Sequence, residues 1–78
     1  MLHAEQIRAA RSLLGWRQGD LAKASKVAPA TIYRLEKGTG AVMGYVSTVT
    51  RIQSALEDAG IRFLDKDSEG GIGVRLVR

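Results

Sequence analysis

The sequence has no cysteine, one histidine, one proline and four aromatic residues, Trp16, Tyr33, Tyr45 and Phe63. Without cysteine there is no disulfide, no thiol nucleophile and no thiolate metal site, which fits a reducing compartment. His3 stands alone, with no second histidine or carboxylate pair beside it, so it reads as a surface or capping residue rather than a metal ligand or catalytic base. The neighbouring carboxylates, Glu57 with Asp58 and Asp65 with Asp67, lack a histidine or nucleophile nearby. The Gly-Gly-Ile-Gly run at 70–73 has neither the strand before it nor the helix after it that a phosphate-binding loop needs, and reads as a turn. These absences predict a protein that is not an enzyme and needs no metal or cofactor. No stretch approaches the roughly 18 apolar residues of a membrane span, and the opening MLHAEQIRAARSLLG has no basic leader followed by an apolar run. The expectation is a cytoplasmic chain without membrane contact.

Seventy-eight residues make one small domain, near the lower size at which a single core suffices, so self-association or tight helical packing is expected to help. The net charge of +4 is unevenly spread. Residues 1–51 hold eight Lys/Arg against three Asp/Glu, whereas residues 52–78 hold four against five. The basic surplus thus sits on the first two-thirds of the chain, where a phosphate-facing surface would need it.

Apolar spacing predicts the elements. Residues 4–14 read as a helix, with Ile7, Ala10 and Leu14 three and four apart and Leu13 widening the stripe. Gly15 would end it in the left-handed conformation. At its start His3 holds the N-cap place three residues before Gln6, where serine or threonine would complete a capping box, so the first turn is expected to fray. Trp16 is expected to lie as a lid on the core edge; a base-stacking platform would need more aromatics than these. Residues 46–59 show the cleanest period, with Val46, Val49, Ile52, Leu56 and Ala59 on one stripe and Gly60 as terminator.

Between these helices lies QGDLAKASKVAPATIYRLEKG, residues 18–38. Leu21, Ala22, Val27, Ile32 and Leu35 fall where two short crossing helices would face each other, joined by a tight turn at Ser25-Lys26-Val27. Pro29 belongs in the first turn of a helix, so the second helix opens near Ala28 and closes by Gly38, which predicts a helix-turn-helix. Its outward positions are Ala28, Pro29, Ala30, Tyr33, Arg34 and Lys37, the face that enters the major groove when such a unit binds DNA. The following TGAVMGY, residues 39–45, is a glycine-containing loop placed to skirt a DNA backbone.

Past Gly60 the pattern changes. Ile61 to Leu64 and Val74 to Val77 alternate apolar and polar residues around DKDSEGGIG and read as a hairpin. An isolated hairpin is marginal and its open edges invite pairing, so Ile61, Phe63, Val74 and Leu76 are expected to carry a homodimer contact. The expected division is a DNA-binding unit at 1–60 and a hairpin extension at 61–78.

From Ile7 to about Gly60, some two-thirds of the chain, the sequence resembles the Cro and phage-repressor type of helix-turn-helix, the xenobiotic-response-element family, as a short bacterial or phage-like member. Twelve residues carry the likeness in order: Arg11, Gly15, Trp16, Gln18, Leu21, Ala22, Val27, Thr31, Ile32, Leu35, Glu36 and Gly38. The ending Gly-Val-Arg-Leu is similar to the tail of some very short bacterial members. The resemblance implies a mainly α, lambda-repressor-like bundle of about four helices with a C-terminal β-hairpin, binding operator DNA as a homodimer. It implies a recognition helix at about 29–37, a structural ion pair between Arg11 and Glu36, and a phosphate contact from Gln18. Arg17 at the same helix start, with Lys26 and Thr31, would add phosphate contacts. The reading positions carry over as Ala28, Pro29, Ala30, Tyr33, Arg34 and Lys37. Hydrogen-bonding residues are usual at the tip, whereas Ala-Pro-Ala offers only apolar contact, so base readout would rest on Arg34 and the Tyr33 hydroxyl. Lys26 stands where glycine is usual in the turn.

Two functional readings follow. The first is a transcriptional regulator that binds double-stranded DNA as a homodimer, cytoplasmic and nucleoid-associated. The second is a protein-interaction module, antitoxin-like or antiactivator-like, which docks on a protein partner through the helix-turn-helix or the C-terminal strands.

Overall fold

In a computed structural model the protein is described over residues 2–77; Met1 and Arg78, the outer ends of the expected units, lie outside the described residues. Four helices, α1 (Ala4–Leu14), α2 (Gln18–Ser25), α3 (Pro29–Glu36) and α4 (Val46–Asp58), precede two strands, β1 (Ile61–Leu64) and β2 (Gly73–Leu76). The strands pair antiparallel with Ile61 opposite Leu76, Arg62 opposite Arg75, Phe63 opposite Val74 and Leu64 opposite Gly73. The fold is mainly helical with a C-terminal hairpin, as expected. The second strand begins one residue before the predicted 74–77.

One core holds the elements together. Ile7 and Ala10 of α1, Leu21 and Ala22 of α2, Ile32 and Leu35 of α3, and Ile52 and Leu56 of α4 are buried, with Val27 in the turn and Ile61 on β1. Burying side chains of this size contributes about 1.5–3 kcal/mol each for the larger aliphatics. Trp16 packs half-buried at the core edge. The hairpin lies on α1 and α4, with β2 along α1 and β1 against α4. That seat stabilises a two-stranded sheet that would be marginal alone.

Local chemistry sets the ends. Gly15 follows α1 at φ 69° and ψ 24°, and Pro29 takes the first position of α3 behind the N-cap Ala28. Gly60 has φ 110°, its carbonyl accepts from the Val77 N–H at 2.7 Å, and a Cβ there would stand 3.0 Å from the Val77 oxygen. Only glycine satisfies both the backbone angle and that approach.

Three expectations change. Val46, at the first position of α4, is 82% exposed and is not part of its buried stripe, and Leu13, in the last turn of α1, is 45% exposed. The α3 helix stops at Glu36, with Lys37 as its C-cap, before Gly38 is reached. The start of α1 is tied rather than frayed, because the His3–Gln6 capping box forms and further partners come from distant segments. Gln6, 2% exposed, accepts the His3 N–H through Oε1 at 3.0 Å and donates through Nε2 to the carbonyls of Leu64 and Gly73 at 3.1 and 3.0 Å. The loop after α3 completes the clasp: Ala4 N–H donates to Gly40, Val42 N–H to Leu2, and Gly40 N–H to Glu5 Oε1 at 3.0 Å.

Candidate nucleic-acid interface

An eight-residue helix has little stability of its own, so whatever fixes α3 must come from its neighbours. Glu36 at its end is buried, 2% exposed, and meets Arg11 side-on: Arg11 Nε donates to Oε2 at 2.8 Å and Nη2 to Oε1 at 2.7 Å. The remaining Arg11 nitrogen, Nη1, donates to the Trp16 carbonyl at 3.0 Å. A bidentate pair of this kind fixes orientation more than it adds stability. Arg8, one turn earlier on α1, donates to the carbonyls of Glu36 and Gly38, satisfying acceptors that the helix end leaves open. Sequence reasoning missed Arg8; its spacing of three from Arg11 on one helix face was the available signal.

The ridge presented to solvent is that of Ala28, Pro29, Ala30, Tyr33, Arg34 and Lys37, all exposed. Lys37 Nζ stands 5.9 Å from the centroid of the Tyr33 ring, a cation–π distance. Among the described residues Arg34 has no hydrogen bond or ion pair, so its five donors are open to an outside acceptor. It borders an open groove of about 410 Å³ whose other wall includes Tyr45 and Thr48. The flanking loop exposes Met43 and Tyr45 almost fully, 81% and 84%.

The residues expected to meet phosphate are placed differently from one another. Arg17 is exposed before α2, with its N–H held by Asp20 Oδ2 at 2.8 Å. Gln18 is half-buried and its Nε2 points to Glu36 Oε1 at 3.3 Å, so the side chain joins the ion pair; the Asp20 N–H donates to the Arg17 carbonyl at 3.0 Å, and the N–H groups of Gln18 and Gly19 precede the first helical acceptor. Lys26 is exposed in the turn at φ 58° and ψ 36°, left-handed, and its carbonyl accepts from Arg51 Nη1 at 3.3 Å. Thr31 is half-buried and lines the groove beside Arg34. Ile61 is buried in its own core, and Phe63, Val74 and Leu76 pack against that core. No cluster of three or more His, Cys, Asp or Glu side chains is arranged to hold a metal among the described residues. No helix among them is long and apolar enough to cross a membrane.

A crossed helix pair with an exposed outer face, locked by an Arg–Glu pair to the helix before it, defines a helix-turn-helix protein. Residues 7–43, which span most of α1, all of α2 and α3 and part of the loop after them, match a family model described as helix-turn-helix, which supports a Cro/C1-type helix-turn-helix. Neither the curated proteins nor the solved structures gave a match to the chain.

Proposed function

We propose that the protein is a cytoplasmic, nucleoid-associated transcriptional regulator that binds operator DNA as a homodimer. Residues 1–60 form the DNA-binding unit, α3 enters the major groove, and the hairpin unit, 61–78, carries the contact between copies. The observation that carries this reading is Arg34: an unpartnered guanidinium on an exposed ridge whose helix is locked from behind by Arg11 and Arg8. An arginine on a firmly anchored helix suits the O6 and N7 acceptors of guanine, and one such bidentate contact discriminates by about 1–3 kcal/mol. Tyr33 adds a hydroxyl, Lys37 a charge, and the Ala28-Pro29-Ala30 tip apolar contact to a thymine methyl. The open amides at the start of α2, with Arg17, Lys26 and Thr31, bind backbone phosphates and set the register. With few hydrogen-bonding residues at the tip, the spacing of two half-sites and the shape of the DNA supply much of the specificity.

Selection of bound duplexes from a random pool tests this. The expected result is a palindromic consensus with a guanine in each half-site, the half-sites centred about 34–36 Å apart or a multiple of it. A pool that shows no enrichment after repeated rounds overturns sequence-specific binding.

A further inference from the structure

Arg34 stands between two grooves whose other walls come largely from one stretch of chain. The groove of about 410 Å³ has Gly44, Tyr45 and Thr48 in its lining, and a second, of about 280 Å³, has residues 38–43 together with Ala4. Leu35 lines both. Because the Arg34 side chain is exposed and makes no hydrogen bond or ion pair among the described residues, residues 38–48 set the room it has and the approach to it.

That stretch is held by the start of α1. Beyond the cap at Lys37, Arg8 Nη1 donates to the Gly38 carbonyl at 2.8 Å and the Gly40 N–H donates to Glu5 Oε1 at 3.0 Å. The Gly40 carbonyl accepts from the Ala4 N–H at 2.9 Å, and the Val42 N–H donates to the Leu2 carbonyl at 2.9 Å. His3 and Ala41 form an antiparallel bridge between the two segments. Arg8 joins the two sides of the junction, because the same Nη1 also donates to the Glu36 carbonyl at the end of α3. Capping the helix would need only the Glu36 carbonyl. The second bond, to a residue two positions past the helix, fixes where the loop leaves α3.

We infer that Arg8 is a positioning residue for sequence recognition: through Glu36 and Gly38 it holds the loop after α3 at the start of α1, and so sets the walls between which Arg34 meets a base. The inference rests on the reading of α3 as the helix that enters the major groove. It deepens that reading by making α1, which lies outside the exposed ridge, a determinant of specificity. A recognition geometry must be held to within about 0.5 Å, so a loop released from α1 is felt at Arg34 before the fold is lost.

Affinities for the duplex recovered by selection and for an unrelated one of equal length, at fixed salt and below the melting temperature of each variant, test this. Arg8→Met keeps the apolar stem and removes the donors. The ratio of its two affinities is expected to fall about two- to thirtyfold. Its salt slope is expected to match the parent's, because Arg8 uses its donors on carbonyls rather than phosphate. Arg8→Lys restores most of the ratio, since one nitrogen serves both carbonyls. Glu5→Ala, which cuts the tie to Gly40, lowers the ratio in the same direction and carries the test if Arg8→Met does not fold. Backbone amide shifts of free Arg8→Met are expected to move at residues 38–48 and to stay in place over α2. An unchanged ratio in Arg8→Met, or in Glu5→Ala where Arg8→Met is unfolded, overturns the positioning role and leaves DNA reading by α3 in place. A salt slope lowered by about one in Arg8→Met, with equal losses on both duplexes, makes Arg8 a phosphate contact and overturns it too. A parent that binds both duplexes equally overturns sequence-specific binding, and this inference with it.

Discussion

Lys26 is the one non-glycine residue with positive φ among the described residues, and it sits in the turn that sets the angle between α2 and α3. A left-handed lysine costs about 1 kcal/mol relative to glycine. The turn is held by the Arg51 bond to the Lys26 carbonyl and by Ser25, whose Oγ donates to the Leu21 carbonyl at 2.7 Å. The side chain stays exposed, as the proposed phosphate contact requires. Lys26→Gly is therefore expected to raise unfolding stability by about 0.5–1 kcal/mol while reducing the salt slope of DNA binding by about one. Chemical denaturation and a salt titration check the two halves; a less stable variant with an unchanged slope contradicts both. At this scale the residues legible in the sequence were those governed by local rules, such as Gly15, Pro29 and Gly60. Gln6 and Arg8 were not, because their acceptors lie 28 or more positions away along the chain and no local pattern announces them.

At the level of elements, all four helices and the hairpin followed from apolar spacing, because each buries one face in a single core. What spacing does not carry is where a neighbour stops. Val46 keeps the period of α4 yet stands at its first position and is exposed, as is Tyr45, which lines the α3 groove. The loop after α3 was readable as a glycine-containing segment placed to skirt a DNA backbone, but the pinning of its backbone to the start of α1 was not. Glu5 belongs to that clasp. Hydrogen bonds from its own N–H and from the Gly40 N–H, with Arg8 and His3 nearby, hold its carboxyl below the ordinary value of 4.5 despite partial desolvation. A carboxylate whose pKa falls on folding adds stability above the unfolded value and loses it as the pH drops through the folded one. The clasp is thus intact near neutrality and weakens below about pH 4.5. Melting temperature is expected to fall between pH 6 and pH 3 by less in Glu5→Gln than in the parent, since glutamine has no proton to take up; equal falls contradict a role for the clasp.

Over the whole molecule, the basic surplus of residues 1–51 coincides with the helix-turn-helix, and the acidic remainder falls on the end of α4 and the hairpin. This division is what the proposed DNA-binding unit at residues 1–60 requires. The exposure of the α3 ridge was legible because it is the part of the helix that cannot face the core; its reading of bases is the proposal. The place of Gln18 was less so, since its amide turns to Glu36 and the phosphate contact proposed at the start of α2 falls to the backbone. The central claim is that α3 reads sequence through Arg34. Its most direct test is the affinity of the parent and of Arg34→Ala for the selected duplex and for an unrelated one, at a fixed salt concentration. The predicted result is a loss of about 1–3 kcal/mol on the selected duplex, with a much smaller change on the unrelated one. Arg34→Ala binding both duplexes as the parent does would contradict it.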